Sequence, residues 1–322
     1  MGTQGHHLIA QTSFNPGSAA RCLEIRRILG SDEGCGPGGQ DQIYDLNGDG
    51  ILTPGVDAFG TRPFSVTSGR YVGDGLLDFA NNNYSTTIAN SAYHAFQLSF
   101  EKRAGDLRLL GAYTWSKSLD NASGFGDTIN PFNHRVSRAL SSFDLTHNFV
   151  VSYNYDLPFH RLAPSRGAAR KLLEGWRING ITRFTTGLPI TMGASGDHSL
   201  CGCGGVDRPN YNGQPVRFFN PRASETHDYF STDQFSEEEL GVPGNASRRS
   251  IHGPGLNNWD FSIHKSTKIG EKLAVEFRAE LFNVFNHAQF MNPTGNLSSG
   301  NFGRVTGARD PRIGQFALKF IF

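Results

Sequence analysis

The strongest constraint on the fold of this chain is a strict alternation of apolar and polar residues in runs of unusual length. The segment "SFDLTHNFVVSYNYDLPF" is the clearest case. On an extended chain its large apolar residues fall on one side: Phe143, Leu145, Phe149, Val151, Tyr153, Tyr155 and Leu157. Its polar residues fall on the other side: Asp144, Thr146, Asn148, Ser152, Asn154 and Asp156. A period of two predicts a β-strand, and about fifteen residues of it exceed the 3–10 residues usual for strands in soluble proteins.

The same alternation recurs along the chain. It predicts hairpins around Gly105 and Gly270, and single strands in "GWRINGITRFTTGL" and in the closing "RIGQFALKFIF". With the opening "GHHLIAQTSF", the chain offers eight strand candidates. The segment "VEFRAELFNVFNH" also nearly fits a helical period, but its β-branched and aromatic residues keep period two after a hairpin turn, so a strand is preferred.

The connections between these strands alternate in length. The long ones cover roughly 15–91, 119–141, 189–255 and 287–311, and the shorter ones surround Gly105, Ala163 and Gly270. Outer-membrane barrels have this asymmetry, with short periplasmic turns and long extracellular loops. The sequence thus predicts an all-β fold: an antiparallel transmembrane β-barrel with about eight long strands and a terminal strand at 312–322.

Hydropathy alone would classify the chain as soluble. The mean hydropathy is -0.39, and no stretch approaches the roughly 18 consecutive apolar residues of a membrane helix. Transmembrane β-strands escape such a scan because only alternate residues face lipid. The balance of 30 basic and 29 acidic residues gives no reason to expect nucleic acid as a partner. The start "MGTQGHHLIAQ" lacks the regions of a signal peptide, so we expect either a cytoplasmic chain or a missing true N-terminus.

The segment "YDLNGDGILTPGVD" resembles a calcium-binding loop. Asp45, Asn47 and Asp49 occupy the first, third and fifth ligand positions, and Ile51 could offer a backbone carbonyl at the seventh. The twelfth position is Val56, and the next carboxylate, Asp57, comes one residue late unless a Pro54-Gly55 turn swings it inward. Two interpretations therefore stay open: a weak extracellular calcium site, or a turn-rich loop that binds no ion. No other cofactor is expected.

Cysteines are few. Cys22 and Cys35 could close a small loop in an oxidising compartment, and the sequence leaves this open. Cys201 and Cys203 stand one residue apart, a spacing that seldom forms a disulfide without strain. A metal site there is not expected, because no further ligand has zinc-type spacing nearby.

No enzyme is predicted. The eleven histidines are scattered, without an H-x-x-x-H or G-x-S-x-G context. Ten charged or titratable residues are expected on the polar face, where we expect them to pair across strands or hydrate the interior. They are Arg108, Asp144, Arg177, Arg183, Asp260, His264, Glu276, Arg278, Glu280 and Lys319.

Several long phrases resemble one protein family in order along nearly the whole chain. They include "GTQGHHLIAQ", "YTWSKSLDNAS", "GWRINGITRFTTGLPIT", "HGPGLNNWDFSIHKST", "FRAELFNVFNHAQFMNP" and "FGRVTGARDPRIGQFALKFIF". The family is the TonB-dependent outer-membrane receptors, in particular the Oar-like branch, whose precursors carry a carboxypeptidase-regulatory-like domain. The resemblance implies the C-terminal β-barrel portion of a receptor that imports large or scarce ligands across the bacterial outer membrane.

Receptors of this type also carry a signal peptide, a TonB-contacting segment, a plug and a barrel of about 22 strands. None of the N-terminal parts is present here, so a fragment is favoured over a self-sufficient small barrel. The partners implied are outer-membrane lipid, a missing N-terminal barrel and plug, TonB only through that plug, an unknown ligand and the barrel-assembly machinery, to which the resemblance presents Phe322. The alternative hypothesis is a secreted or surface-displayed, calcium-stabilised β-rich protein that acts in binding or adhesion.

Overall fold

The computed structural model describes residues 1–30, 35–53, 56–64, 83–162, 167–270 and 273–322. Its strands are β1 (Gly2–Ser13), β2 (Tyr44–Asp45), β3 (Ala58–Phe59), β4 (Asn83–Ala104), β5 (Leu107–Asp120), β6 (Thr128–Ile129), β7 (Ala139–Leu140), β8 (His147–Asp156), β9 (Trp176–Thr185), β10 (Asn210–Tyr211), β11 (Phe235–Ser236), β12 (Leu256–Ile269), β13 (Leu273–Phe282) and β14 (Ile313–Ile321). Its helices are α1 (Ala19–Leu29) and α2 (Ala168–Leu173), with 3-10 turns at His134–Ser137 and Pro158–Leu162.

The long strands form one antiparallel sheet. Its order is β14-β13-β12-β9-β8-β5-β4-β1, so each long strand pairs with its nearest long neighbour along the chain. The short strand β6 adds parallel to the outer side of β1, and β7 pairs with the end of β5. Among the described residues β14 does not pair with β1, so the sheet is open, and these strands do not form a closed barrel by themselves.

The pairing register puts the two connection types at opposite ends of the sheet. Tight turns join β4 to β5 and β12 to β13, and the medium-length connection 157–175 joins β8 to β9; this edge is called the turn end. Long segments join β1 to β4, β5 to β8, β9 to β12 and β13 to β14 at the other edge, called the loop end. At the turn end Gly105 and Gly270 have positive φ, which suits tight turns. The predicted connection at Ala163 lies outside the described residues.

The sheet has one apolar and one polar face. Leu98, Tyr113, Phe149 and Phe184 lie side by side on four neighbouring strands. On the opposite face Arg103, Arg108, Asn154 and Asn179 form the corresponding row. Because strand residues alternate between faces, this register extends the separation over the whole sheet, as the sequence predicted.

Charges on the polar face are paired. Arg177 donates to Asp156 across neighbouring strands at 2.5 Å. Glu276 accepts from Arg278 at 2.8 Å and has the His264 ring nearby at 3.7 Å. The pair of Arg177 and Asp156 crosses neighbouring strands, as expected, whereas Glu276 and Arg278 pair along one strand, β13.

Two predicted strand boundaries are wrong. β4 already begins at Asn83, inside the predicted loop 15–91, because Asn83 to Ala89 pair with β1. β8 begins only at His147, because the chain turns before it: the Asp144 N–H donates to the carbonyl of Ser141 at 3.0 Å. Asp144 was therefore placed wrongly on the polar face; its side chain is buried among the loops.

The segment after Gly270 is a strand, as preferred, as far as Phe282, but its last five residues, 283–287, leave the strand in a turn. β13 pairs with both neighbours from Ala274 to Leu281. The last strand, β14, lies within the predicted range 312–322. Neither helix in the described part of the chain is long and apolar enough to cross a membrane.

The buried apolar clusters of the described residues lie mainly at the loop end. One cluster contains Cys22 and Ile25 of α1 with Cys35, Tyr44 and Leu200. The helix is capped by the Ser18 hydroxyl, which accepts from the Arg21 N–H, and ends at Gly30 in the left-handed conformation. A second cluster packs Ile190, Met192, Phe230 and Ile251. The long loops thus fold on cores of their own.

Candidate functional site

An ion network ties two long loops together at the loop end. Arg248 donates to Asp120 at 2.5 Å and to Asp127 at 2.6 Å, across more than a hundred residues of sequence. The side chains of Arg248 and Asp120 are 6% and 4% exposed, so water screens this pair little. The network fixes the loop 186–255 against the loop 121–146.

Arg249 extends this network. Its guanidinium donates to the hydroxyls of Thr191 and Ser123 at 2.8 and 3.1 Å. Burial pushes the pKa of Asp127 up, but the Ser123 N–H and the guanidiniums of Arg249 and Arg248 outweigh it, and the pKa lies below its usual value. Burial, and then repulsion from Arg248 and Arg249, lowers the pKa of Arg208 to about 10.

Asp144 anchors the loops to the sheet. One carboxylate oxygen accepts from the Ser118 N–H at 2.6 Å, and the other lies 3.1 Å from Nε2 of His252. Because the carboxylate is buried, both contacts hold the base of the loop 186–255 over the end of β5.

The calcium-type loop brings its predicted carboxylates together. The two-residue ladder of β2 and β3 sets Asp57 beside Asp45, and the Leu46 N–H donates to the Asp57 carbonyl at 3.0 Å. Ligand oxygens of Asp45, Asp49 and Asp57 all lie within 4.8 Å of one another. Although Asp57 comes one residue late in the sequence, the fold places it in the cluster. The predicted Pro54-Gly55 turn lies outside the described residues.

The loop also satisfies these oxygens with its own N–H groups. Asp45 accepts from Gly48 and Gly50, Asn47 donates to Asp57 at 2.8 Å, and the Ile51 N–H donates to Asp49 at 2.7 Å. The Gly50 N–H is the main cause that lowers the pKa of Asp45. The geometry is compatible with both interpretations that the sequence left open, a calcium ligand set and a turn held by side-chain hydrogen bonds.

Both cysteine pairs are disulfides. Cys22 is bonded to Cys35, the pairing that the sequence left open. Cys201 is bonded to Cys203, although that spacing made the bond unexpected. The backbone around this second bond holds another loop: the Cys201 carbonyl accepts from the Gly17 N–H at 2.7 Å, and the Gly202 carbonyl accepts from Arg62 at 3.3 Å.

A cavity of about 670 Å³ opens at the base of the loop 186–255. Its aromatic lining residues are Tyr211, Phe218, Tyr229 and Phe235. Sequence reasoning missed this site because it assigned ligand choice to the long loops in general and singled out no aromatic residue in 189–255. The available signal was the concentration of aromatic residues in "VRFFN" and "DYFSTDQF", which is unusual for a solvated loop.

Phe322 follows directly on β14 and is 94% exposed. By alternation it continues the apolar side of Phe316, Leu318 and Phe320, three residues that are themselves exposed. The terminal aromatic side chain is accessible to another molecule.

Comparisons with known proteins agree with the architecture. The family described as "Outer membrane beta barrel domain" matches residues 1–315. No curated protein and no solved structure matches the chain significantly. The family match covers nearly the whole chain, and the long alternating strands with one apolar face are what such a domain requires. The chain therefore belongs to the outer-membrane β-barrel domain family and is located in the bacterial outer membrane.

Proposed function

We propose that this chain is part of the barrel wall and the outer loops of an Oar-like, TonB-dependent receptor that imports a large or scarce ligand. The observation that carries the proposal is the division of the sheet into two ends. Short connections lie at one end, and long loops with their own packed cores and buried ion network lie at the other. A barrel that only anchors itself in a membrane has no need of such loops, whereas capture of a ligand does.

In this proposal the loop end faces outward and the apolar face contacts lipid. Among the described residues the sheet is open, and each unpaired backbone group at its edges costs roughly several kcal/mol in hydrocarbon. The edges must therefore pair with further strands, which the proposal assigns to an N-terminal barrel part. In this proposal TonB acts on the receptor through a plug.

The first test concerns the rest of the receptor. The DNA upstream of the Met1 codon is sequenced, and we expect an in-frame region that encodes a plug and further alternating strands. Upstream DNA with stop codons in every frame and no such region would contradict the receptor proposal. Fractionation adds a second check: expressed with a signal peptide, the chain should require detergent for extraction.

Calcium binding by the loop at Asp45 belongs to the same proposal. With calcium, Asp45, Asn47, Asp49 and Asp57 would order part of the outer surface. Calorimetric titration with calcium should give saturable heat that Asp49→Ala abolishes. Equal heats for the two proteins would reject the calcium site and leave a turn held by hydrogen bonds.

The same titration bears on the alternative, a calcium-stabilised surface protein for binding or adhesion. That hypothesis shares the loop but gives no reason for long strands with an apolar face. Extraction without detergent would favour it over the receptor.

The exposed end of β14 supports a role for Phe322 in assembly. We expect deletion of Phe322 to reduce the amount of folded protein in the outer membrane, while deletion of Met1 serves as the control at the other terminus. Equal amounts for both variants would remove Phe322 from the proposal.

A further inference from the structure

The aromatic cavity in the loop 186–255 is held in a fixed shape. Tyr211 and Phe235 face each other in the β10–β11 ladder, and their rings stack with centroids 5.4 Å apart. Phe218 and Tyr229 form a second pair at 5.6 Å, fixed by a hydrogen bond from the Phe219 N–H to the Tyr229 carbonyl. Backbone pairing thus sets the position of all four rings.

The rings are backed by a packed core. Tyr229 and Phe235 pack against Phe230 and Ile251, which are buried in a cluster that also includes Ile190 and Met192. The Tyr229 hydroxyl donates to the His252 carbonyl at 3.1 Å, and the Tyr211 hydroxyl donates to the Gln214 carbonyl at 2.6 Å. Because these contacts fix the tyrosines, the cavity is formed before any ligand arrives.

Phe218 lies at the mouth of this cavity. Its side chain is 55% exposed even though the surrounding backbone is ordered by hydrogen bonds. A large ring held rigidly at the surface costs solvation free energy that a ligand could recover by covering it. The cavity volume also falls within the usual range of about 300–1,000 Å³ for small-molecule sites.

Among the described residues that line the cavity, His252 is the only one with an acidic or basic side chain. The non-aromatic lining residues are Thr186, Gly187, Val216, Ala246, Ser247, Ser250, Ile251, His252, Gly253 and Gly255. His252 directs Nε2 to Asp144, and the flanking charges Arg217 and Asp233 pair with each other at 3.5 Å. A charged ligand would therefore lose its hydration without gaining an opposite charge.

We propose that this cavity binds an uncharged small molecule that presents a flat ring to the aromatic pairs and hydroxyl groups to Ser247 and Ser250. This proposal names a class of ligand for the receptor proposed above. It rests on that receptor function only for the statement that the ligand is imported. Binding itself needs neither plug nor TonB. Loss of uptake with binding intact would count against the receptor, and loss of binding would count against this site.

The test uses the full chain purified in detergent and isothermal titration with two matched probes. One is 4-nitrophenyl β-glucoside, which is uncharged, and the other is 4-nitrophenyl β-glucuronide, which adds one negative charge to the same rings. We expect saturable binding of the glucoside and about tenfold weaker binding of the glucuronide. Absence of saturable glucoside binding, or equal affinity for both probes, would overturn the proposal.

Two adjacent phenylalanines provide matched variants. Phe218 lines the cavity and also an adjacent depression, whereas Phe219 is similarly exposed and lines that depression but not the cavity. Phe218→Ala should weaken glucoside binding about tenfold, and Phe219→Ala should leave it unchanged. Both variants remove an exposed ring, so we expect both to fold, which circular dichroism checks. Equal effects of the two variants would place the glucoside elsewhere.

Discussion

The sheet and the loops of this chain bury the same residue types in opposite ways. Phe316 on β14 is 74% exposed, whereas Phe230 in the loop 186–255 is 2% exposed. Conversely, the charged pair Arg248 and Asp120 is buried at the loop end, whereas Arg177 and Asp156 on the polar face of the sheet are about half exposed. One face of the sheet exposes apolar side chains, which suits contact with lipid hydrocarbon. The loops bury their apolar side chains, as a small water-soluble domain does.

The largest effect is expected from removing the buried cation of the loops. Arg248→Ala leaves the buried Asp120 carboxylate without its partner, and breaking such a pair costs about 3–5 kcal/mol. We expect faster amide hydrogen exchange in 121–146 and 186–255, with the strands unchanged.

Arg217→Ala is the control for this variant. Arg217 forms an exposed pair with Asp233 in the same loop, so its loss should cost at most about 1 kcal/mol. If Arg248→Ala accelerated amide exchange equally in the strands and in the loops, the two regions would not unfold independently.

A charged residue introduced on the apolar face of the sheet tests whether that face contacts lipid. Val151 lies in the middle of β8, in the apolar row with Phe100 and Trp259. Val151→Arg should destabilise the protein in lipid vesicles by about 2–4 kcal/mol, measured by urea unfolding, because an arginine at mid-depth loses hydration. Ser152→Arg puts the same charge on the polar face one residue away and should cost much less. Equal costs would mean that the apolar face does not contact lipid.

The smallest effect is expected from acid, which should act on the loops first. The folded-state pKa of Asp127 is lowered, so its contribution to stability is present above the unfolded pKa of about 3.9 and is lost as the pH falls through the lower folded value. Amide exchange around Ser123 should therefore accelerate below about pH 4, while exchange in β8 and β9 stays slow. Asp127→Asn should flatten this pH dependence, and an unchanged profile would remove Asp127 as its cause.

The strands could be predicted from the sequence because their information is local. A period of two assigns each residue to a face without knowledge of its neighbours, which is why β14 and the course of β13 up to Phe282 were placed correctly. The strand prediction was wrong where the alternation of apolar and polar residues continued past the true end of a strand. Phe143 and Leu145 keep the period, yet the turn at Ser141 to Asp144 removes them from β8.

The candidate sites depended on distant contacts and were harder to predict. Asp57 was recognised as a ligand type at the wrong spacing, and only the β2–β3 ladder brings it to Asp45. Arg248 and Asp120 are 128 residues apart in the sequence, and no local sequence pattern predicts that they pair.

The sequence by itself determined the class of protein: long alternating strands, a short-turn end and a long-loop end. Those features follow from strand geometry, which repeats every two residues and needs no tertiary context. Only the tertiary structure decided that the loops are folded, that both cysteine pairs are bonded, and that four aromatic rings enclose a cavity. Those features join residues far apart in the chain, and their positions are set by packing and hydrogen bonds that no local period encodes.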